Sequence, residues 1–167
     1  MIVVAVGANL AATGYETPLA TCEAAVTRLA EDSDIRVTGR SRWYESEPVP
    51  VSDQPWYVNG AVAVETDLLP EVLLARLHLI EESFGRVRRV RNEARPLDLD
   101  LIDYHGQVRI GAVAPTLPHP RAAERAFVLL PLQDLDADWR HPVTGERVSV
   151  LIDGLPGAGG AIRPLAD

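Results

Sequence analysis

The sequence predicts an α+β fold in which helices cover one face of an antiparallel β-sheet. An apolar segment begins the chain, segments alternating with period two follow, and two segments with helical spacing lie between them. Because an alternating strand has one apolar and one polar face, the sheet should have a core side and an open side. A binding site is expected on the open side.

The first part of the chain predicts strand, helix and strand. Residues 2–6 are apolar and β-branched, as in a central strand buried on both faces, and Gly7 then lets backbone approach a ligand. Thr17 can cap a helix with Pro18 at its first position, running to about residue 31. Residues 35–44 alternate and predict a second strand, with three arginines on its outer face: Arg36, Arg40 and Arg42.

The middle of the chain predicts a loop, a strand and a second helix. Three prolines between Glu45 and Pro55 oppose regular structure there. Residues 56–66 predict a strand whose outer face carries Tyr57, which could stack on a planar ring, and Asn59, which could bind a heterocycle edge. Ordinary strand packing explains this face equally well. The helix starting at Pro70 should end before Gly85.

An arginine-rich segment next leads into an acidic strand. Five of the ten residues 86–95 are arginine, and the strand at 97–101 turns its leucines inward. Asp98 and Asp100 then project from one face, roughly 7 Å apart at the α-carbon. Mg²⁺ would relieve their repulsion, since it typically binds one or two carboxylates together with substrate phosphates, and guanidinium groups grip phosphate. The sequence thus predicts polyphosphate chemistry.

Each half of that pattern has a plainer explanation. Arginine-rich runs are more often solvated loops or nucleic-acid patches, and paired aspartates on a strand are often only solubilising charge. Their direct succession in the chain favours a joint site, because the carboxylates must stay ionised beside the arginines.

The last third of the sequence contains fewer patterns that predict structure. It predicts a turn at 104–107, a short strand at 108–110, a short helix at 121–125 and an irregular tail at 154–164. His119 stands between two prolines and is poorly placed for a core. The predicted order of strands and helices is that of a ferredoxin-like βαββαβ fold, with short C-terminal additions.

Composition limits the remaining possibilities. With 167 residues, 47% of them hydrophobic, we expect a single domain over residues 1–167. The net charge of −8 opposes broad binding to nucleic acid or anionic membrane. All 16 basic residues are arginine, which excludes a P-loop lysine, and the single Cys22 excludes an internal disulfide. We expect a cytoplasmic protein without a membrane span.

Seven short motifs stand out by their order and spacing. They lie at residues 4–10, 44–48, 53–59, 85–88, 94–100, 117–120 and 125–127. Together they resemble the 6-hydroxymethyl-7,8-dihydropterin pyrophosphokinase family of folate biosynthesis. The resemblance implies transfer of pyrophosphate from ATP to the pterin hydroxymethyl group, giving AMP, by a ferredoxin-like protein with two Mg²⁺ ions. We expect a monomer that acts on these small molecules, with no nucleic-acid or membrane partner.

The resemblance also assigns residues to roles. It implies metal binding and catalysis at Asp98 and Asp100, and catalysis by Arg86 and Arg95 in an arginine loop over the triphosphate. The pterin would contact Ser46, Val49, Tyr57, Asn59 and Phe127, and ATP would contact Glu81, Arg88, Leu101, Thr116, His119 and Arg125. The chain has Asn92-Glu93-Ala94 where many members have Trp-Gly-Pro.

Three other classes of protein remain as alternatives. An RNA-binding module could stack bases on Tyr57 and Phe127, although the net charge and the aspartate pair oppose it. A regulatory domain of the same topology would bind an effector without a catalytic metal. A metal-dependent glycosyltransferase with an Asp-x-Asp site is disfavoured by the short chain.

Overall fold

A computed structural model of the protein describes residues 1–48, 50–85, 96–156 and 161–166. The chain is an α+β protein, as predicted. Its strands are β1 (Ile2–Ala8), β2 (Ile35–Arg40), β3 (Tyr44–Ser46), β4 (Tyr57–Thr66), β5 (Asp98–Tyr104) and β6 (Ile162–Pro164). Its helices are α1 (Pro18–Ala30), α2 (Pro70–Ser83), α3 (Ala126–Leu135) and α4 (Val148–Asp153), with a 3₁₀ turn at Ala122–Glu124.

The described strands form one antiparallel sheet in the order β5-β1-β4-β3-β6, and β2 also pairs with β4. β1 lies between β4 and β5, and nearly all of its residues are buried. This confirms the prediction of a central strand. Its fully apolar sequence suits that position, because other parts of the protein cover most of both faces of β1.

Both faces of the sheet carry a hydrophobic core. On the first face, α1 and α2 pack against alternate residues of β1, β4 and β5, including the three leucines of the acidic strand. On the second face, α3 and Trp139 pack against Val3, Ala61 and Ile102. The prediction that helices cover only one face was therefore wrong. Val3 and Ala61 are apolar residues on that second face, and they need cover from α3.

The helix termini follow the predicted signals. The Thr17 hydroxyl accepts a hydrogen bond from the Ala20 N–H at 3.0 Å, and Pro18 opens α1. Gly85 follows α2 with a φ of +87°, a conformation that favours glycine. Cys22 is fully buried in α1, and burial, with a smaller effect of Glu23, raises the pKa of its thiol to about 12. No helix in the described part of the chain is long and apolar enough to cross a membrane.

The region from residue 35 to 55 differs from its prediction. The single strand expected at 35–44 is two strands, since β2 ends at Arg40 and β3 begins at Tyr44, and both strands pair with β4. β3 then includes Glu45 and Ser46, which had been assigned to an irregular loop. Arg36, Arg40 and Arg42 are exposed, as predicted.

Two predictions for the C-terminal third were also wrong. In the tail expected to be irregular, Ile162–Pro164 form β6, whose hydrogen bonds come from β3, far away in sequence. The strand expected at 108–110 is only an isolated bridge between Arg109 and Leu117. Pairing with β3, which is distant in sequence, decides the first case, and the local residue pattern does not reveal such pairing.

Candidate active site

A cavity of about 530 Å³ opens on the second face of the sheet, beside the N-terminal end of α3. The strands supply its floor, the segment after β3 supplies one side, and the C-terminal segment supplies another. Seven of the residues singled out from the sequence line it: Ser46, Tyr57, Asn59, Asp98, Asp100, Arg125 and Phe127.

The register of three strands sets the spacing of the cavity floor. Gly7 of β1 pairs with Asp98 of β5 on one side and with Asn59 of β4 on the other. Directly paired residues of an antiparallel sheet share a face. With neighbouring strands about 4.8 Å apart, the α-carbons of Asp98 and Asn59 are separated by roughly 10 Å. The aspartates and the amide therefore mark two ends of one floor.

The first end of the cavity is charged. Asp98 and Asp100 are half-buried on β5, and Arg121 and Arg125 also line the cavity. Burial and the charge of Arg121 lower the pKa of the Arg125 guanidinium, while Asp100 and Asp98 oppose that shift. Arginine stays protonated even so. This end presents carboxylates for a cation beside guanidinium groups for an anion.

The second end of the cavity is neutral. The Asn59 amide donates a hydrogen bond to the Ser46 hydroxyl at 2.8 Å, and both side chains are buried. The rings of Tyr57 and Phe127 are only half-buried, so each leaves area that a ligand can cover. The Arg125 guanidinium lies 5.4 Å from the centre of the Phe127 ring. Arg125 of the charged end therefore contacts Phe127 of the neutral end.

Hydrogen bonds from Asn9 hold the loop at residues 54–55 beside this neutral end. Asn9, buried just after β1, donates hydrogen bonds to Gln54 Oε1 at 3.0 Å and to the Pro55 carbonyl at 3.4 Å. Gln54 lines the cavity. The end of β1 therefore fixes part of the cavity wall as well as its floor.

The charged end fits magnesium better than a metal that needs a full set of protein ligands. In residues 1–48, 50–85, 96–156 and 161–166, no three His, Cys, Asp or Glu side chains are grouped to hold a metal. Asp98 and Asp100 provide two carboxylates on one cavity face. Mg²⁺ is commonly bound by one or two carboxylates with water and substrate phosphates completing its shell.

Four of the residues assigned to ATP do not line the cavity. Leu101 lies in the core of the first face, and Thr116 is exposed. His119 is half-buried near the charged end. Burial and the charge of Arg125 lower its pKa, the charge of Asp98 opposes the shift, and Arg121 adds to it.

Glu81, the fourth, is buried in α2, and its Oε2 accepts a hydrogen bond from the Leu99 N–H at 2.9 Å. Leu99 stands between Asp98 and Asp100, so Glu81 holds the backbone of the acidic strand from beneath. Four further residues assigned from the sequence, Arg86, Arg88, Arg95 and Val49, lie outside the described residues.

Sequence reasoning missed several residues of the cavity. Gln54, Arg121 and Glu124 lie within or next to motifs that had been noted, and their neighbours were the available signal. Leu155, Pro156 and Ile162 also line the cavity, and they lie in a tail that carried no recognisable pattern. Only the folded chain brings that tail to the site.

Paired carboxylates and arginines at one end of the cavity and aromatic rings at the other suit an enzyme that brings a polyphosphate to a planar co-substrate. The profile of one family, 7,8-dihydro-6-hydroxymethylpterin-pyrophosphokinase (HPPK), matches residues 3–137. The chain belongs to this family. The match includes the whole floor of the cavity and both of its aromatic residues.

Proteins of known name are similar to the chain. A Pseudomonas aeruginosa protein, 2-amino-4-hydroxy-6-hydroxymethyldihydropteridine pyrophosphokinase, is 37% identical over 93% of the chain and 91% of its own length. A Synechocystis protein of the same name is 38% identical over 78% of the chain and 66% of its own length. Folic acid synthesis protein fol1 of Pneumocystis carinii is 44% identical over 66% of the chain, which spans only 15% of that larger protein.

Proposed function

We propose that the protein transfers pyrophosphate from ATP to the hydroxymethyl group of 6-hydroxymethyl-7,8-dihydropterin in folate biosynthesis. The products are AMP and the pterin diphosphate. One observation carries the proposal: a single cavity has paired carboxylates and arginines at one end and an aromatic pair with a buried amide at the other. Polyphosphate suits the first end, and a planar heterocycle suits the second.

The neutral end binds and orients the pterin. Tyr57 and Phe127 contact its ring, and Asn59 offers a carbonyl oxygen and an N–H to its edge. The hydrogen bond between Asn59 and Ser46 fixes the amide before the ligand arrives. A pre-oriented amide loses less entropy on binding, which favours one orientation of the ring.

The charged end holds the triphosphate. Arg125, supported by Arg121, binds phosphate oxygens, and Asp98 and Asp100 would hold Mg²⁺, of which we propose two ions. When bound, Mg²⁺ would supply Lewis-acid charge at the phosphate oxygens and would lower the pKa of a nearby hydroxyl. Arg86, Arg88 and Arg95 follow α2 in the sequence and are proposed to contact the same triphosphate.

The reaction is one in-line displacement. The pterin hydroxymethyl oxygen forms a bond to the β-phosphorus, the bond from that phosphorus to the α,β-bridging oxygen breaks, and the hydroxyl proton is lost to solvent. The bridging oxygen leaves with AMP. Because both reactants are held on one floor, positioning and charge stabilisation supply most of the acceleration.

We also propose that the central sheet is ferredoxin-like and that residues 1–167 form one domain. In support, the order β5-β1-β4 with β2 and β3 beside β4, and two helices on the first face, is compatible with the βαββαβ arrangement. A monomeric state and a cytoplasmic location remain predictions from the sequence.

The product of ATP tests the function. Purified protein with MgATP should form AMP only when 6-hydroxymethyl-7,8-dihydropterin is present, and one pterin diphosphate should form per AMP. The 6-methyl analogue lacks the acceptor oxygen, so it should bind without AMP formation. ADP as the product would indicate transfer of a single phosphate. Binding of both ligands without any turnover would favour a regulatory domain.

A further inference from the structure

The cavity has an apolar side that the family match does not include. Leu155, Pro156 and Ile162 line the cavity, whereas the match to the family profile ends at residue 137. Leu155 and Ile162 are half-buried, and Leu155 also packs against the core of the second face. Apolar side chains that face a cavity gain free energy when a ligand covers them.

Backbone hydrogen bonds fix the position of β6 beside the cavity. It pairs with β3 in a register that places Ile162 opposite Ser46. The Glu47 N–H donates to the Ala161 carbonyl at 2.9 Å, and the Leu165 N–H donates to the Trp43 carbonyl at 2.8 Å. These bonds flank Ile162 on both sides.

Side-chain contacts on the outer face of β6 add to this ladder. Arg163 forms an ion pair with Glu45, and its guanidinium lies 5.4 Å from the centre of the Trp56 ring. Successive residues of a strand point to opposite faces. Arg163 therefore anchors β6 from the side that faces away from Ile162.

Ile162 lies at the neutral end of the cavity. Ser46 pairs with Tyr57 on its other side, so Ile162, Ser46 and Tyr57 form one row on the cavity face. The charged residues Asp98 and Asp100 lie at the opposite margin of the sheet, on β5. Ile162 is thus next to the neutral end and far from the triphosphate.

We propose that Ile162, supported by Leu155, is a specificity-determining residue that closes the neutral end of the cavity around the planar ring. The proposal rests on the function proposed above. It predicts that the C-terminal strand contributes affinity for the pterin and none for ATP. Removing apolar contact area should weaken pterin binding, and enlarging the side chain should exclude the ring.

Calorimetric titration of variants tests this assignment. Ile162→Ala should weaken binding of 6-hydroxymethylpterin about tenfold, since it removes apolar area that the ligand covers. Its affinity for a nonhydrolysable MgATP analogue should match that of the wild type. Ile162→Val should lose only a small part of the pterin affinity, and Ile162→Trp should abolish pterin binding while ATP still binds.

Arg163→Ala is the matched control, because it alters the same strand on the face away from the cavity. It should leave pterin affinity within twofold of the wild type. Equal losses of pterin affinity in both variants would overturn the proposal in favour of a purely structural β6. Unchanged pterin affinity in Ile162→Ala and Ile162→Trp would also overturn it.

The two proposals fail in different ways. Absence of pterin-dependent AMP formation in the wild-type protein would refute the proposed function whatever Ile162 does. Normal AMP formation in the wild type together with unaltered pterin binding in both Ile162 variants would refute only the role of Ile162.

Discussion

A β-carbon added to Gly7 would lie 2.9 Å from Oδ1 of Asn59, closer than real β-carbons approach other atoms. The Asn59 amide can therefore take its observed orientation only because Gly7 has no side chain. No positive φ is involved, so the constraint comes from space and not from backbone conformation.

Gly7→Ala should consequently damage binding more than folding. The new methyl group would push the Asn59 amide away and strain its hydrogen bond to Ser46, so pterin affinity should fall about tenfold, the worth of one hydrogen bond. Gly39→Ala is the control, because its added carbon meets Ala63 and Leu135 at an ordinary 3.6 Å. Calorimetry with pterin should separate the two variants, and equal affinities would contradict the proposed crowding.

Asp98→Asn and Asp100→Asn should nearly abolish turnover and leave the fold intact. Each change keeps the shape of a half-buried side chain and removes a charge that is proposed to hold the metal, so kcat should fall by a factor of about 100 or more. Glu65→Gln removes one charge from an exposed position of β4 and should have no such effect. Near-normal AMP formation by either aspartate variant, with Mg²⁺ as the sole divalent cation, would show that it is not a metal ligand.

Tyr57→Ala and Phe127→Ala should weaken pterin binding and spare ATP. An aromatic pair contributes about 0.5 to 1.5 kcal/mol beyond the area that it buries. Tyr15 stacks on Phe84 away from this cavity, at 5.6 Å between ring centres, so Tyr15→Ala is a matched aromatic control. Separate titrations with each ligand decide the matter. Parallel losses for pterin and ATP would argue for general loosening of the fold.

Glu81→Ala should act through the acidic strand. The change leaves the Leu99 N–H buried without its acceptor, which costs about 1 to 3 kcal/mol of unfolding free energy. Because Leu99 lies between the two aspartates, the Mg²⁺ concentration for half-maximal activity should also rise. Glu82→Ala, at the next and exposed position of α2, should change neither quantity. A loss of stability with unchanged Mg²⁺ dependence would limit Glu81 to a structural role.

Tyr44 predicts a stability change at alkaline pH. Burial and its hydrogen bond to Asp134, at 2.8 Å, raise the pKa of Tyr44 to about 12, against the opposing charge of Arg42. The pKa of an unfolded tyrosine is about 10, so this contribution is complete below pH 10 and is lost as pH rises towards 12. Tyr44→Phe should lower the unfolding free energy by about 1.5 to 3 kcal/mol below pH 10.

Denaturant titrations from pH 9 to pH 12 measure this difference. The gap between wild type and Tyr44→Phe should narrow as pH approaches 12. The chain has no lysine, so few other groups titrate in this interval, and those that do are shared by both proteins. A gap that stays constant across the interval would contradict the linkage.

Local signals predicted much of the fold and seven of the residues that line the cavity. The alternation at 97–101 placed three leucines in the core and Asp98 and Asp100 on the cavity face, because strand geometry leaves only two faces. The face of β4 was predicted for the same reason, and the caps of α1 and α2 followed from Thr17, Pro18 and Gly85.

Nonlocal contacts account for what the sequence did not predict. β6 pairs with β3, which lies far earlier in the chain, and β2 and β3 both pair with β4 in registers that the local sequence pattern did not indicate. The cover of the second face by α3 depends on its packing against Val3 of β1 and Ala61 of β4, which lie far earlier in the chain. No window of local pattern contains such information.

The reactivity of the single, buried cysteine, Cys22, can be used to measure how often the folded protein opens. The thiol lies in the core of the first face, across the sheet from the cavity, with a pKa raised to about 12. Only the thiolate reacts with labelling reagents, so modification must wait until α1 separates from β4. A ligand in the cavity stabilises the folded state, so it should slow the labelling of Cys22. The labelling rate of the wild-type protein would therefore report how much of the cavity is occupied, although the thiol lies on the other face of the sheet.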